Sequence, residues 1–386
     1  MEAAVLCMAA IGAPCRAADA SRSAASITDF RVEDPVLMKE RAAQLDVAEA
    51  ALARGDTDAA LASFERAAGM LHAPDTEMGL VRSQMQAGQY RRALAFAAHT
   101  AGAHLEAPTA SALYAWLLRA GGQEAYARQV LDSALQRSPA SDVLVATQRA
   151  FAAAPGVASG VLLERPHRMA PQDLSTGSTA MPARGRVHAS AVLLGDGRFA
   201  LAASAGLAGA RRLWVRNGVG RASAAAVDRI FDDAGLALLV LERPLPGSAQ
   251  LAIAARDPFA GSPGFVVDFA PSADAAPQWP MLHAGFFGGP AGAASAGGRA
   301  LGIATSPGSA GAAVFDSGGR WAGIALPSAV ASAGAPRWLP VSQLRGPLGD
   351  LLAAPPASDA AAPARIGADE AYERSLTLVL QVVVEP

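Results

Sequence analysis

The stretch from Ser306 to Asp316, SPGSAGAAVFD, which we call the glycine loop, holds the residues best placed for chemistry. Ser309 offers a hydroxyl, and Gly308 and Gly311 permit a tight turn whose backbone N–H groups converge on an oxyanion. Acyl transfer by such a loop also needs an activated nucleophile, a base within hydrogen-bond reach and a buried carboxylate that orients the base. The rest of the chain must therefore supply these groups if the loop is catalytic.

The glycine loop resembles the nucleophile loop of trypsin-like serine proteases of the bacterial high-temperature-requirement type. In that family the pattern is close to P-G-N-S-G-G-P-L-F-D-x-x-G-x-L-V-G-I, and here GGRWAGIAL follows the loop. Aligned from Phe315 and Asp316, the family motif puts Ser309 at its Asn and Ala310 at its catalytic Ser. The resemblance thus implies a protease fold with alanine at the nucleophile position.

Two earlier segments match the same family in chain order. ASAVLLGDGRFALAASAGL, at residues 189–207, is similar to G-S-G-V-x-x-G-D-G-x-x-L-T-A-A-H-V-V and puts Ser204 at the general-base His. DDAGLALL, at residues 232–239, is similar to x-x-x-D-L-A-L-L and puts Gly235 at the orienting carboxylate. The resemblance therefore implies a degenerate triad at Ser204, Gly235 and Ala310.

Two more segments extend the resemblance over 165 residues, from His188 to Leu352. GSPGFVVDFA, at residues 261–270, resembles G-D-x-V-x-x-V-G-F-P, and residues 338–341, WLPV, resemble A-I-P-V. Three independent replacements at the triad positions are hard to produce by alignment slippage. What survives is a vestigial cleft at Gly308, Ser309 and Gly311, where a peptide could bind without turnover.

Neighbouring residues offer little rescue. Ser309 lies one residue before the nucleophile position, and on a tight turn that shift swings its side chain away from the cleft. Asp233 lies two residues before Gly235, so on a strand its side chain would point to the same face as that position, but it has no base to orient. His188 and His283 lie in predicted strands, where we expect packed or hydrogen-bonded structural roles. No His-x-x-x-His, Cys-x-x-Cys or acidic cluster indicates a metal, and no cofactor is predicted.

The elements that must position these residues are short antiparallel strands. From His188 onward, alternating apolar runs recur about every ten residues, which is typical of a sandwich or barrel. The predicted strands are residues 188–194, 199–203, 212–216, 222–231, 236–241, 264–269, 282–286, 300–304, 312–315 and 321–325. This number suits two six-stranded barrels, and we assign residues 187–352 to an all-β trypsin-like double barrel.

An α-helical region precedes the barrel. Glycine turns begin at Gly55, Gly88 and Gly121, each 33 residues after the last, and prolines at 74, 108 and 139 end the units. This resembles the tetratricopeptide repeat (TPR), in which helix pairs stack and share a core. We expect a TPR-like solenoid over residues 41–153, ending in a capping helix from Ser141 to Ala153, and a plain alanine-rich bundle is the alternative. Such arrays bind peptides or protein surfaces, but no convergent Asn, Lys or Arg identifies a ligand.

Two segments are rich in Pro, Ala, Ser or Gly: we predict a linker or an irregular wrap at residues 154–186 and a flexible linker at residues 353–367. Residues 368–386 contain a short helix and an apolar strand from Leu378 to Val384, which resembles the segment that opens the family's protease domain. We predict that this tail supplies a missing strand, either within the chain or to a neighbouring subunit of an oligomer. The alternative is an amphipathic helix that packs elsewhere.

Composition narrows the class of protein. The 386 residues, of which 52% are hydrophobic, are enough for two or three domains with hydrophobic cores. The formal net charge is −2 and the basic residues form no cluster, so we do not expect nucleic-acid binding. Residues 1–20 end in Ala18-Asp19-Ala20, a small-x-small cleavage pattern. We expect an exported, periplasmic or secreted protein without a transmembrane helix. Cys7 and Cys15 lie in this leader, so no disulfide is expected after cleavage.

The sequence as a whole favours an inactive trypsin-like pseudoprotease with TPR-like repeats. Its function would be protein–protein interaction or scaffolding, with protein or peptide partners in the repeat groove and the barrel cleft. One alternative is an active serine endopeptidase with a rearranged catalytic site. Another is a purely structural subunit of an envelope assembly.

Overall fold

The structure is a computed structural model that describes residues 34–153, 160–177, 180–182, 184–207, 209–247, 251–290, 298–326, 336–352 and 364–385. The expected leader at residues 1–20, with both cysteines, and most of the expected linker at 353–367 lie outside these residues. Within the described ranges, no helix is both long and apolar enough to cross a membrane.

The N-terminal region, residues 34–153, consists of seven helices, and helices that are consecutive in the chain pack against each other. They are α1 (Pro35–Ala53), α2 (Thr57–Met70), α3 (Pro74–Gln86), α4 (Tyr90–Ala103), α5 (Pro108–Ala120), α6 (Glu124–Arg137) and α7 (Asp142–Ala152). Proline begins α1, α3 and α5, where its missing N–H leaves no hydrogen bond unmade. Helix α7 lies where a helix was expected from Ser141 to Ala153, and Ser141 is its N-cap.

The repeated glycines make the turns that join the helices of each pair. Gly55, Gly88 and Gly122 have φ angles of 75°, 76° and 83°, in the left-handed region that residues with a Cβ rarely enter. Close packing elsewhere also depends on a missing Cβ. A Cβ on Gly79 of α3 would lie 2.2 Å from the ring of Phe64, which packs from α2. The 33-residue period in the sequence is therefore a period of turns and close helix contacts.

The C-terminal region consists of two closed barrels of six antiparallel strands. The strands are β1 (Arg186–Leu194), β2 (Phe199–Ala203), β3 (Arg212–Asn217), β4 (Ala222–Phe231), β5 (Leu236–Leu241), β6 (Pro263–Asp268), β7 (Met281–Pro290), β8 (Arg299–Gly302), β9 (Ala313–Asp316), β10 (Trp321–Leu326), β11 (Arg337–Pro340) and β12 (Val379–Glu385). The first barrel has the order β1-β12-β3-β4-β5-β2, and the second has β10-β11-β8-β7-β6-β9. The predicted fold class, helices followed by a double barrel, is confirmed.

Strand β12 closes the first barrel from the far end of the chain. It pairs with β1 from Val192↔Val379 to Arg186↔Val384, and with β3 on its other edge. The tail thus supplies a strand within the chain, as one form of the prediction had it. Both edges of β12 are paired within the chain, with β1 and β3, and an oligomer through this segment stays a prediction.

Two further helices flank the barrels, α8 (Val341–Leu348) and α9 (Ala368–Ser375). Helix α9 joins the helical region to the barrels. Its Tyr372 ring lies edge to face against Tyr90 of α4, with centroids 4.4 Å apart, and its hydroxyl donates to the carbonyl of Pro280 at 2.9 Å. Glu373 accepts hydrogen bonds from the backbone and guanidinium of Arg91. One hydrophobic cluster consequently runs through the helices and both barrels.

The expected linker at 154–186 is, where described, an irregular wrap packed against both regions. Leu162 and Met169 are buried. The amide of Gln172 donates to the side-chain oxygen of Gln86 at 2.8 Å, and the Gln86 amide group donates to the carbonyl of Val219. The wrap therefore connects helix α3 to the first barrel and does not serve as a free spacer.

Candidate functional site

The three positions that the resemblance assigns to a triad meet at the seam between the barrels. Ser204 follows β2, and its N–H donates to the carbonyl of Gly235, 2.9 Å away at the start of β5. Gly235 has a φ of 63°, which favours glycine, and a Cβ built on it meets nothing within 4 Å. The first two positions are thus in backbone contact, and the second faces open space.

The glycine loop reaches the same seam through its backbone. The carbonyl of Ala310 accepts a hydrogen bond from the amide of Ser190 in β1 at 2.9 Å. A Cβ on Gly311, which has a φ of 76°, would lie 2.2 Å from the Ser190 carbonyl oxygen and 3.1 Å from the amide nitrogen of Ala203. Because Ala203 immediately precedes Ser204, the loop places Ala310 beside the first two positions.

The side chains at these positions are a hydroxyl, a hydrogen and a methyl group. None of the three is a base or a carboxylate. Nucleophilic catalysis needs a base that removes the hydroxyl proton, so these three side chains cannot perform acyl transfer by the triad mechanism. The three positions thus bring backbone groups together without a basic or acidic side chain among them.

The residues nearest to these positions do not replace them. Within the described residues, the Oγ of Ser309 is buried and has no hydrogen-bond partner, so no base activates it. Asp233 lies in an exposed 3₁₀ turn from Asp232 to Ala234, between the predicted strands, and it has no base to orient. The expected hydrogen-bonded role of His188 is confirmed, since its Nε2 lies 2.6 Å from the carbonyl oxygen of Ala205.

A second cluster of Ser, His and Asp side chains lies inside the second barrel. The amide of Ser306 donates to Oδ2 of Asp268 at 2.7 Å, and its hydroxyl donates to Oδ1 at 2.7 Å. Nε2 of His283 lies 3.2 Å from the same Oδ1 and 3.5 Å from the Ser306 hydroxyl. Sequence analysis anticipated a hydrogen-bonded His283 but not this grouping, because the three residues come from separate strands and loops.

The arrangement of this cluster is that of a structural network. In a working triad, one imidazole nitrogen faces the hydroxyl and the other faces the carboxylate. Here Nε2 of His283 faces both the carboxylate of Asp268 and the hydroxyl of Ser306, and that hydroxyl donates its hydrogen bond to Asp268 and not to His283. Ser306 is 2% exposed and Asp268 is fully buried, so a substrate carbonyl has no path to the hydroxyl.

An apolar groove opens beside Gly235. It has a volume of about 540 Å³ and lies between the 3₁₀ turn of the first barrel and helix α8. Its lining residues are Phe231, Asp233, Ala234, Leu236, Leu339, Gln343, Leu344, Pro347 and Leu348. The groove is large enough for several side chains of a peptide, and Asp233 and Gln343 are its polar groups.

A buried arginine ties the first barrel to its surroundings. Arg216 of β3 donates from Nε to the side chain of Gln381 at 2.9 Å, and lies 3.2 Å from a carboxylate oxygen of Asp173 in the wrap. Burial disfavours the charged guanidinium and lowers the pKa of Arg216 to about 10, against the opposing effect of Asp173. Gln381 is the buried polar residue of β12, whose other polar residue, Glu385, is its last, so this contact also holds the closing strand.

The two closed six-stranded antiparallel barrels have the architecture of the trypsin-like protease fold, and the likeness is one of fold alone. No family model and no curated protein matches the sequence. Among similar solved structures is the HtrA-type protease AlgW with a decapeptide, at 16% identity and a TM-score of 0.37 over 43% of this chain. The chain spans about half of AlgW, 51% of its length.

Two further similar structures are the MamO protease domain from Magnetospirillum magneticum and the Rv3671c protease in an inactive form. MamO is 14% identical with a TM-score of 0.31, over 42% of this chain and 88% of its own. Rv3671c is 15% identical with a TM-score of 0.33, over 43% of this chain and 87% of its own. These likenesses carry no argument about activity.

Proposed function

We propose that this chain is a catalytically inactive, trypsin-like pseudoprotease with TPR-like repeats, exported from the cell, that binds protein or peptide partners. The observation that supports the proposal is the meeting of Ser204, Gly235 and Ala310 at the barrel seam without a base or carboxylate among them. The hydrogen bond between Ser204 and Gly235 and that between Ser190 and Ala310 support this assignment of the positions. A fold kept under these conditions serves through its surface.

The apolar groove beside Gly235 is the proposed peptide site on the barrels. Apolar side chains from both barrels line it, so an extended peptide with two or three apolar residues fits its chemistry. Phe231 is the one aromatic residue among the described residues that line it. The helical repeats provide a second surface, for which the described residues indicate no particular ligand.

Labelling with a fluorophosphonate probe tests the proposed inactivity. The full-length protein should remain unlabelled under conditions in which trypsin is labelled stoichiometrically. A variant with Ser204→His, Gly235→Asp and Ala310→Ser tests the assignment of the positions, because labelling that requires all three changes would show that they form one site. Stoichiometric labelling of the unmodified protein would refute the proposed inactivity.

Peptide binding is tested with an unbiased peptide library selected on the full-length protein. Phe231→Ala should weaken the selected peptides by about tenfold, consistent with the loss of one aromatic contact of roughly 1–2 kcal/mol. Phe286→Ala is the matched control, since Phe286 is 59% exposed on β7 and is not among the residues that line the groove. If Phe231→Ala and Phe286→Ala bound the selected peptides equally well, the peptide site would lie outside the groove.

A second candidate function is a serine endopeptidase with a rearranged site, and it depends on the cluster of Ser306, His283 and Asp268. Its geometry is unfavourable, since the hydroxyl is buried and hydrogen-bonded to the carboxylate. If the cluster were catalytic, the probe would label Ser306, and both Ser306→Ala and His283→Ala would abolish labelling. Mass spectrometry of the labelled peptide therefore separates this candidate from the pseudoprotease.

A further inference from the structure

Three histidines and a glutamate converge at one end of the helix pair α3 and α4. His72 lies in the connection from α2 to α3, and Glu77 lies in the first turn of α3. His99 lies near the end of α4, and His104 immediately follows that helix. These are three of the six histidines in the chain, and all three face the same carboxylate.

The distances suit a shared cation. Nε2 of His72 and of His99 lie 2.6 and 3.8 Å from Oε1 of Glu77, and Nε2 of His104 lies 3.5 Å from Oε2. The ligand atoms of His72, Glu77 and His99 all lie within 4.8 Å of one another. A tetrahedral ion with bonds of about 2.0–2.1 Å holds its ligand atoms roughly 3.3 Å apart. Small side-chain rotations would therefore bring these atoms to bonding distance of one ion.

Burial gives a second and independent indication. Glu77 and His104 are 4% and 7% exposed. Oε2 of Glu77 and Nε2 of His104 are both buried, and neither makes a hydrogen bond within the described residues. Unpaired polar atoms in a protein interior are costly, and here two of them are aimed at one another across the cluster. A cation between them would satisfy both.

The other two imidazoles leave a way in for the ion. The side chains of His72 and His99 are 63% and 56% exposed, so they form the solvent side of the cluster. His104 is a buried member of the cluster, and its Nδ1 lies 3.3 Å from a carboxylate oxygen of the exposed Glu106. Such a partner fixes the tautomer that leaves Nε2 free to bind a metal.

We propose that His72, Glu77, His99 and His104 form a binding site for a divalent transition-metal ion of the zinc class. Imidazole nitrogens favour zinc, copper, nickel and iron, whereas calcium and magnesium favour oxygen ligands. Four protein ligands are typical of a structural site. The ion would fasten the connection before α3 to the end of α4.

The test uses tag-free, full-length protein stripped with a chelator and then titrated with Zn²⁺, with calorimetry and elemental analysis as readouts. The expected result is one zinc per chain and a higher midpoint of thermal unfolding. His72→Ala with His99→Ala, both exposed positions, should keep the native circular dichroism spectrum and weaken zinc binding at least 100-fold. Glu106→Ala should weaken binding about tenfold, as is usual for loss of a residue that orients a ligand.

His188→Ala is the matched control, because His188 is a half-buried histidine of the first barrel outside the cluster, and its loss should leave zinc binding unchanged. Co²⁺ bound in place of zinc should give the intense visible absorption of a four-coordinate site. The proposal is overturned if the unmodified protein binds no more zinc than the double variant does, or if Mg²⁺ binds equally well. In that case the cluster is a set of His–Glu ion pairs only.

Discussion

Removal of strand β12 should prevent the first barrel from folding. Five aliphatic side chains of this strand are 0–1% exposed: Val379, Leu380, Val382, Val383 and Val384. At about 1.5–3 kcal/mol for each buried aliphatic side chain, the strand contributes roughly 8–15 kcal/mol of apolar burial. That is the size of the entire free energy of unfolding of an ordinary domain, about 5–15 kcal/mol.

A chain ending at residue 363 lacks both α9 and β12 and tests this expectation. Its thermal and urea unfolding should lose the cooperative transition of the full-length protein. Addition of a synthetic peptide of residues 364–386 should restore the transition in proportion to the peptide bound. An unfolding midpoint and slope equal to those of the full-length chain would refute the reasoning.

A milder change measures the same contact in a chain that still folds. Val382→Ala removes two methyl groups from the interior of the first barrel, where Val382 is fully buried. The expected loss is about 2–3 kcal/mol, or a 30- to 150-fold larger unfolding constant, because transfer and cavity terms add. Val240→Ala on β5 is the control, since Val240 is 37% exposed and should lose less than about 1 kcal/mol.

Three further predictions concern the seam, the helices and the tyrosines. Ala310→Ser alone should gain no hydrolytic activity and no fluorophosphonate labelling, because Ser204 cannot act as a base; labelling would refute this. Glu49→Ala should destabilise the protein by about 3–5 kcal/mol in urea unfolding, because it leaves the buried guanidinium of Arg82 without its ion-pair partner. Replacing both residues, with Glu49→Leu and Arg82→Met, should recover most of the lost stability. Burial raises the pKa values of Tyr90 and Tyr372, so the unfolded chain loses these two protons at a lower pH than the folded chain does. The free energy of unfolding should therefore fall as the pH rises above about 10, and a spectrophotometric titration of the folded protein should show two tyrosines that ionise later than the others.

Much of the fold could be predicted from local pattern. The ten strands expected from His188 to Ala325 are all present, with bounds that differ by at most four residues, because alternation with period two reports directly on which face is buried. Glycines at a 33-residue period marked the helix turns for a similar reason, since a positive φ requires that residue. Strand β11 could not be predicted from alternation, because four residues are too few to show a period, and the sequence marked it only through the motif WLPV.

The clusters could not be predicted, because they depend on contacts between distant segments. His72 and Glu77 are five residues apart, as are His99 and His104, and this spacing does not place two side chains on one face of a single helix. Only the packing of α3 against α4 brings the four together. The meeting of Ser306 with Asp268 depends in the same way on the course of the second barrel.

The closing strand also sets when the first barrel can fold during synthesis. Between the end of β1 and the start of β12 lie 184 residues, which a ribosome adds in about 10–40 s at 5–20 residues per second. For that time β1 and β3 each have an unpaired edge, the kind of surface that chaperones and proteases recognise. A polypeptide interrupted before residue 379 leaves the ribosome with an open barrel. Translation to the end thus becomes a condition for the folding of a domain that begins near the middle of the chain.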